Sequence, residues 1–194
     1  MKKEKGLVFV ISGPSGCGKT TLCRMLLKEN LGLLSSTSLT TRAPRRGERR
    51  EIDYIYVAED EFKKGLKDKK FLEYAKVFGK YYGTPKKPVI DAIKKGKDII
   101  LSIDAQGAAQ IKRAIKEAVL IFILPPSFDD LKKRLLKRSS ETASQIKRRL
   151  RVAHNELRAM DMYDYAVIND DMKEALNYLS AIILAERCRI KGKG

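Results

Sequence analysis

The sequence predicts an α/β fold in which a central parallel β-sheet is covered by helices on both faces. Apolar runs rich in β-branched residues recur along the chain, and amphipathic segments with helical periodicity separate them. Such runs suit strands that are buried on both faces, as in a parallel sheet. Two stretches rich in polar and basic residues, 37–84 and 127–155, interrupt the alternation. We therefore expect a three-layer core built from 1–36, 85–126 and 156–194, with two insertions.

A glycine-rich motif follows the first apolar run, Leu7–Ile11. The motif GPSGCGKT occupies 13–20 and matches GxxxxGKT, and the segment 21–28 after it places its apolar residues on one helical face. In the order strand, loop and helix, this motif is the P-loop, whose backbone N–H groups cradle phosphates. Lys19 would then reach the outer phosphates and Thr20 would ligate magnesium. A ligand-free glycine turn is the alternative, but the complete motif in this context favours a nucleoside triphosphate site.

The composition limits the size and class of the protein. A chain of 194 residues with 43% hydrophobic residues can form one domain with insertions. Its three cysteines, Cys17, Cys23 and Cys188, cannot all pair, and their spacing matches no metal motif. We interpret them as reduced thiols of a cytoplasmic protein. Because no stretch approaches the roughly 20 apolar residues of a membrane-spanning helix, we expect no membrane association.

The net charge of the chain is +17, from 41 Lys and Arg against 24 Asp and Glu. Such a charge attracts polyanions, so nucleic acid is a candidate partner. However, the basic residues are scattered and do not alternate with aromatic residues, as a stacking platform for bases requires. We therefore expect no specific nucleic-acid binding. Abundant Lys and Glu are also typical of thermophilic proteins, and the sequence does not indicate an oligomeric state.

Turn-forming residues divide the rest of the chain into further elements. Gly32 is the expected C-cap of the first helix, and Asp60 is the expected N-cap of the next. The tyrosine pair within 79–84 is bracketed by glycines and predicts a turn. We expect strands at 53–57, 98–104, 119–124 and 165–168, and helices at 60–70, 88–95, 106–116, 127–158 with a polar break at 139–144, and 172–191.

Two basic segments have the charge to bind phosphates. In 34–50, hydroxyl residues lead into arginines around Pro44, so this segment is either a solvated loop or a clamp for a second phosphate. The helical segment 127–158 carries many cations, which repel one another unless an anion lies among them. A solvated helical hairpin is the alternative there. Asp104 ends an apolar strand, at the edge where parallel sheets bind ligands.

Taken together, the motifs resemble the guanylate kinase family. The matching segments occur in the family's order and cover nearly the whole chain: GPSGCGKT, SLTTRAPRRGE, FLEYA, GKYYGT, SIDAQG, FILPPS and VINDD. The resemblance implies a P-loop core with a GMP-binding subdomain at 37–84 and a helical lid at 127–155. It also implies transfer of the γ-phosphoryl group of ATP to GMP or dGMP in purine nucleotide metabolism, with Mg²⁺ as the cofactor.

The resemblance also implies roles for individual residues. The residues assigned to ATP are Gly13, Pro14, Ser15, Gly16, Cys17, Gly18, Lys19, Thr20, Thr21 and Asn169, with Thr20 as the metal ligand. The residues assigned to GMP are Ser38, Arg42, Arg45, Tyr54, Glu73, Tyr82, Thr84 and Asp104. The residues assigned to catalysis are Lys19, Arg42, Arg134, Arg138 and Arg149. Glu73 would accept the two N–H donors of guanine and Ser38 would donate to O6, whereas adenine presents the opposite pattern.

Catalysis of this kind depends on position and charge rather than on proton transfer. The attacking oxygen of GMP is already anionic, so no general base is required. The only histidine, His154, is accordingly interpreted as an exposed helix residue. One position departs from the family pattern, because Ser102 stands where the family usually has an acid that helps to order the water shell of magnesium.

Three other functions compete with this one. A kinase for another monophosphate, such as AMP or UMP, is disfavoured by the combination of Glu73 and Ser38. Scaffold domains related to the family bind phosphopeptides and typically have a degraded P-loop, whereas Lys19 and Thr20 are intact here. A nucleic-acid binder is disfavoured by the missing stacking pattern.

Overall fold

The computed structural model describes residues 5–29, 32–45, 47–136, 143–158 and 160–190. Within these residues the chain forms nine strands and seven α-helices. The strands are β1 (Val8–Ser12), β2 (Leu34–Ser35), β3 (Leu39–Thr40), β4 (Ile55–Tyr56), β5 (Phe71–Val77), β6 (Lys80–Pro85), β7 (Ile99–Ser102), β8 (Val119–Leu124) and β9 (Tyr165–Ile168). The helices are α1 (Lys19–Lys28), α2 (Glu59–Lys67), α3 (Lys86–Lys94), α4 (Ala105–Ala114), α5 (Phe128–Leu136), α6 (Ala143–Leu157) and α7 (Met172–Cys188). None of these helices has the length and apolar character needed to cross a lipid bilayer.

A five-stranded parallel sheet forms the core, in the order β2, β7, β1, β8, β9. Along β1, Phe9 and Ile11 pack on the side of α1 and α7, whereas Val8 and Val10 pack on the side of α3 and α4. Every residue of β1 is buried because helices cover both faces of the sheet, which explains its uninterrupted apolar run. The predicted α/β class with a central parallel sheet is confirmed.

A second, four-stranded sheet is formed within 39–85, in the order β4, β3, β6, β5. β3 is parallel to β4 and antiparallel to β6, and β6 is antiparallel to β5. Beneath this sheet, the ring of Phe62 in α2 stacks on those of Phe71 and Tyr81, with centroid distances of 4.4 and 5.3 Å. The sheet lies in the predicted insertion 37–84 and ends one residue beyond it. The division into core, subdomain and lid stays a prediction.

Three local predictions are wrong. Gly79 lies in the turn between β5 and β6, but the rest of the segment 79–84 is strand β6 and not a turn, because pairing with β5 along its length outweighs the local signal of its glycines. Helix α2 begins at Glu59, so Asp60 is not its N-cap but lies in its first turn, where the helix dipole favours a carboxylate. Helix α1 ends at Lys28, and Gly32 lies beyond its cap in a left-handed conformation, with φ of 67°.

The packing of α1 against the sheet can be tested at Leu22, which is fully buried. Leu22→Ala leaves a cavity, so we expect the free energy of unfolding to decrease by about 2–5 kcal/mol. Leu184→Ala is the matched control, because Leu184 of α7 is 48% exposed and its truncation should cost less than about 1 kcal/mol. Urea denaturation followed by circular dichroism measures both changes. Equal losses in the two variants would contradict the packing described.

Candidate active site

A cavity of about 200 Å³ lies between the P-loop and the second sheet. Its wall combines the P-loop, the segment 38–54, the β5–β6 hairpin, the residues that end β7, and α6. The predicted site residues on this wall are Gly13, Ser15, Gly16, Gly18, Lys19, Thr20, Thr21, Ser38, Arg42, Arg45, Tyr54, Glu73, Tyr82, Asp104 and Arg149. The structure therefore brings residues of both predicted nucleotide sites into one space.

Other predicted residues lie just behind this wall. Pro14 and Cys17 belong to the P-loop itself, and Asn169 is buried against the loop, where its Nδ2 donates to the Cys17 carbonyl at 2.7 Å. Nη2 of Arg134 donates to the Asn169 carbonyl at 3.1 Å. Because the Asn169 amide nitrogen is already bound to the loop, its contact with adenine stays a prediction. Arg138 lies outside the described residues.

The P-loop presents backbone donors at the start of α1. Gly18 occupies the N-cap with φ of 96°, and a Cβ there would lie 2.3 Å from Nδ2 of Asn169, so only glycine fits. Since Gly18 has no side chain, it offers no acceptor to the first N–H groups of α1, which suits them to an anion. The Nζ of Lys19 folds over the loop and donates to the carbonyls of Gly13 and Pro14.

Another part of the wall holds a buried carboxylate. Glu73 is 3% exposed, and its Oε1 accepts a hydrogen bond from Thr84 Oγ1 at 2.6 Å. Gly107 leaves room for this carboxylate, because a Cβ there would lie 2.5 Å from Glu73 Oε2. The N–H of Gly107 donates at 2.9 Å to Asp104, which caps α4. The carboxylates of Glu73 and Asp104 thus share one wall with the buried Ser38.

Two carboxyl groups of the cavity have strongly raised pKa values. Burial raises the pKa of Glu73 to about 7, against the hydrogen bond from Thr84 and with a further contribution from the charge of Asp104. Burial also raises the pKa of Glu156 in α6 to about 7, although the charge of Lys19 opposes it. In both groups, burial disfavours the ionised form. A ligand that donates hydrogen bonds or carries positive charge would favour their ionised forms.

A guanidinium and two phenols meet at a third place on the wall. Nε of Arg42 donates to the hydroxyl of Tyr82 at 3.2 Å, and its Cζ lies 5.2 Å from the ring centre of Tyr54. Burial raises the pKa of Tyr54 above its usual value, so its hydroxyl stays protonated and able to donate. With Arg45 on the same wall, these groups offer cationic and hydroxyl donors to an anion.

Sequence reasoning missed five wall residues: Val77, Phe78, Ile103, Val152 and Glu156. The guanidiniums of Arg148 and Arg149 in α6 lie 5.1 and 5.6 Å from the ring centre of Phe78, so α6 contacts the β5–β6 hairpin across the cavity. Nη1 of Arg149 also donates to Ser15 of the P-loop at 3.2 Å. The only sequence signal for Phe78 is its place before a glycine, and Glu156 has none, because it resembles any acid on a charged helix.

The buried Glu73 carboxyl makes a testable contribution to stability. The folded protein keeps this proton up to a pKa of about 7, whereas the unfolded chain loses it near the ordinary glutamate pKa of 4.5. Between these values the unfolded state binds fewer protons, so the free energy of unfolding falls as pH rises, by at most about 1.4 kcal/mol per pH unit from this group. In Glu73→Gln this contribution is absent, so the variant should gain stability relative to wild type across the window. Urea denaturation at several pH values from about 5 to about 8 measures the difference. A difference that does not change with pH would contradict the burial of an ionisable group here.

Comparison with known proteins shows the family. A family model described as guanylate kinase matches residues 5–186. The guanylate kinase of Clostridium tetani is 49% identical over 187 residues, which are 96% of this chain and 89% of the relative. That of Caldanaerobacter subterraneus is 46% identical, over 97% of this chain and 91% of the relative. The crystal structure of guanylate kinase from Anaplasma phagocytophilum matches with a TM-score of 0.83 at 34% identity, covering 97% of this chain and 90% of that chain. This chain therefore belongs to the guanylate kinase family, the ATP:GMP phosphotransferases, as its motifs predicted.

Proposed function

We propose that the chain transfers the γ-phosphoryl group of MgATP to GMP, and also to dGMP, giving ADP and GDP or dGDP. The observation that carries the proposal is that one cavity has both Lys19 of the P-loop and the buried Glu73 on its wall. A triphosphate on the P-loop and a purine at Glu73 would meet end to end in this cavity. In-line phosphoryl transfer requires this arrangement, since it depends on positioning and on neutralised charge.

The P-loop side fits a magnesium-bound triphosphate. The N–H groups at the start of α1 would bind phosphate oxygens, and Lys19 would turn from the loop carbonyls to the β- and γ-phosphates. The hydroxyl of Thr20 lies on the same wall as the carboxylates of Asp104 and Glu156. All three groups are hard oxygen donors of the kind that Mg²⁺ prefers. Thr20 is the hydroxyl residue of the P-loop motif, so we assign it as the protein ligand. When bound, Mg²⁺ would neutralise charge on the phosphates.

The other side fits guanine. An ionised Glu73 can accept hydrogen bonds from N1–H and the 2-amino group, and Ser38 can donate to O6. The bond from Thr84 fixes one oxygen of Glu73, and Asp104 completes the acidic wall. Adenine presents a lone pair at ring position 1, so Glu73 would face it without a donor. A site built on such hydrogen bonds can reject the wrong base by about 10⁴-fold or more.

The arginines would hold and neutralise the phosphates. Arg42 and Arg45, with Tyr54 and Tyr82, would bind the phosphate of GMP and orient its anionic oxygen, so that no general base is needed. The sole histidine supports this assignment, because His154 is exposed on α6 and its ring packs edge-on against Phe128.

The lid arginines would cover the transferred group. Arg149 is on the cavity wall and bonded to the P-loop, and Arg134 is bonded to the backbone behind it. We propose that both neutralise charge that develops between donor and acceptor, and the family resemblance adds Arg138. We also propose that the protein is cytoplasmic, because Cys17 and Cys23 in the core are free thiols.

A screen of acceptors tests the proposal. The protein is incubated with MgATP and, in turn, GMP, dGMP, AMP and UMP, and ADP release is followed with a coupled assay. ADP release with GMP and dGMP alone is the expected result. Equal turnover of GMP and AMP would contradict the base assignment, and tight phosphopeptide binding without ADP release would contradict the enzyme. A salt-dependent affinity for RNA that Lys19→Ala leaves unchanged would support the nucleic-acid alternative.

The role of Lys19 can be separated from GMP binding. Lys19→Met removes the cation assigned to the β- and γ-phosphates, so we expect kcat to fall by about 100-fold or more, as when a charge-stabilising donor is lost. The dissociation constant of GMP, measured by calorimetry without ATP, should stay unchanged. Lys28→Met, at the exposed end of the same helix, is the matched control and should keep full activity. Full activity in Lys19→Met would contradict the P-loop assignment.

The role of Glu73 can be tested on base selection. Glu73→Gln replaces one acceptor oxygen by an amide donor that faces the donors of guanine, so we expect the ratio of kcat/KM for GMP over AMP to fall by about 100-fold or more. The measurement is steady-state kinetics with both acceptors. Glu59→Gln removes a carboxylate from an exposed ion pair with Lys63 in α2 and is the control for net charge. An unchanged ratio in Glu73→Gln would contradict the assignment.

A further inference from the structure

Another glutamate, Glu48, lies behind the part of the wall that holds Arg42 and contacts the residues around it. Its Oε1 accepts from Arg42 Nη2 and its Oε2 from Arg42 Nη1, both at 2.9 Å. Oε2 also accepts from the backbone N–H of Arg45 at 2.7 Å and from the hydroxyl of Tyr56 at 2.8 Å. One carboxylate therefore binds both arginines that the proposed function assigns to the GMP phosphate.

The same contacts determine which donors of Arg42 remain for a ligand. A guanidinium has five N–H groups. The Nε donates to Tyr82, one N–H of Nη1 donates to the Ala43 carbonyl at 2.7 Å, and Glu48 takes one N–H from each of Nη1 and Nη2. One N–H of Nη2 is left for a phosphate oxygen. The hydroxyl of Tyr82, which accepts from Arg42, still has its own proton to donate.

Two tyrosine rings also contact the guanidinium of Arg42, which is partly buried. Its Cζ lies 5.2 Å from the ring centre of Tyr54 and 5.9 Å from that of Tyr56. The side chains of Arg42 and Glu48 are only 12% and 18% exposed. Burial would raise the pKa of Glu48, but hydrogen bonds from Arg42, Arg45 and Tyr56 outweigh it and lower the pKa to about 2. The carboxylate therefore stays ionised, and the guanidinium is fixed before any ligand binds.

Glu48 fixes the backbone of Arg45 as well. The N–H of Glu48 donates to the Arg45 carbonyl at 3.1 Å, while the N–H of Arg45 donates to the Glu48 carboxylate. This reciprocal pair joins Arg45 to Glu48 just after Pro44. A fixed donor set costs little conformational entropy when an anion binds, so fixing the guanidinium of Arg42 and the backbone of Arg45 in advance favours phosphate binding.

We propose that Glu48 is a positioning residue for the phosphate of the acceptor nucleotide, acting through Arg42 and Arg45 without touching the nucleotide itself. This inference rests on the proposed function, because it takes the two arginines as phosphate ligands. The opposite role would be competition, in which the carboxylate withholds Arg42 from the phosphate. The donor count favours positioning. Glu48 occupies one N–H on each terminal nitrogen of Arg42, and the second N–H of Nη2 is left for the ligand.

The test compares two ligands that differ only in the phosphate. Dissociation constants of GMP, by calorimetry, and of guanosine, by NMR titration, are measured for wild type, Glu48→Gln and the charge-matched control Glu59→Gln. We expect Glu48→Gln to weaken GMP binding by about 10- to 100-fold, the range for a misplaced binding group. Guanosine binding should stay within about twofold, because it uses the base site alone. The control should bind both ligands as wild type does.

Three outcomes would overturn the inference. Unchanged GMP binding would show that Glu48 has no such role, and tighter binding would show competition. Equal weakening of GMP and guanosine would show a general structural role. If Glu48→Gln does not fold, Tyr56→Phe removes only the hydroxyl bond to Glu48 and should weaken GMP, but not guanosine, by about two- to fivefold. Wild-type protein that does not bind GMP would instead overturn the proposed function itself.

Discussion

The parallel direction of the five core strands is the constraint on which the rest of the structure depends. Because the carboxyl ends of β1 and β7 lie at the same edge, with Ile11 paired to Ser102, the segments that follow them emerge side by side. One continues into the P-loop, and the other reaches Asp104 and the start of α4. Two unrelated stretches of sequence thereby supply adjacent walls of one cavity. Neither could do so if the two strands ran in opposite directions.

The second sheet is attached to this edge through α4. The backbone N–H and carbonyl of Tyr74 in β5 are both bound by the side chain of Gln110, at 3.2 and 2.7 Å. The neighbouring residue, Glu73, enters the space beside Gly107. The Glu73 carboxylate is therefore fixed relative to the core helix, whereas Arg42 is held by Glu48 and by the tyrosines of β6 and of the β4 region. The two halves of the proposed acceptor site are held by different means.

The sequence predicted those parts of the site that depend on local pattern. The run Leu7–Ile11 and the motif at 13–20 were sufficient for strand, loop and helix, because each is a contiguous signal. It did not predict strand β6, since long-range pairing decides that conformation, nor Phe78 and Glu156, which reach the cavity only when the hairpin and α6 approach each other. Family resemblance, rather than spacing, placed Glu73 and Arg42 in one site.

The close approach of Glu73 to Gly107 restricts the substitutions that could be used to change the purine preference. The Glu73 carboxylate fills the space that a Cβ at 107 would need, so a bulkier group at 73 that extends toward α4 has no room unless α4 starts elsewhere. Exchanges that conserve volume, such as glutamine, can be accepted directly, whereas an aromatic or branched replacement would require a compensating change in the helix. Positions 73 and 107 therefore form one unit for protein engineering, and a library that varies either alone would sample mostly unproductive variants.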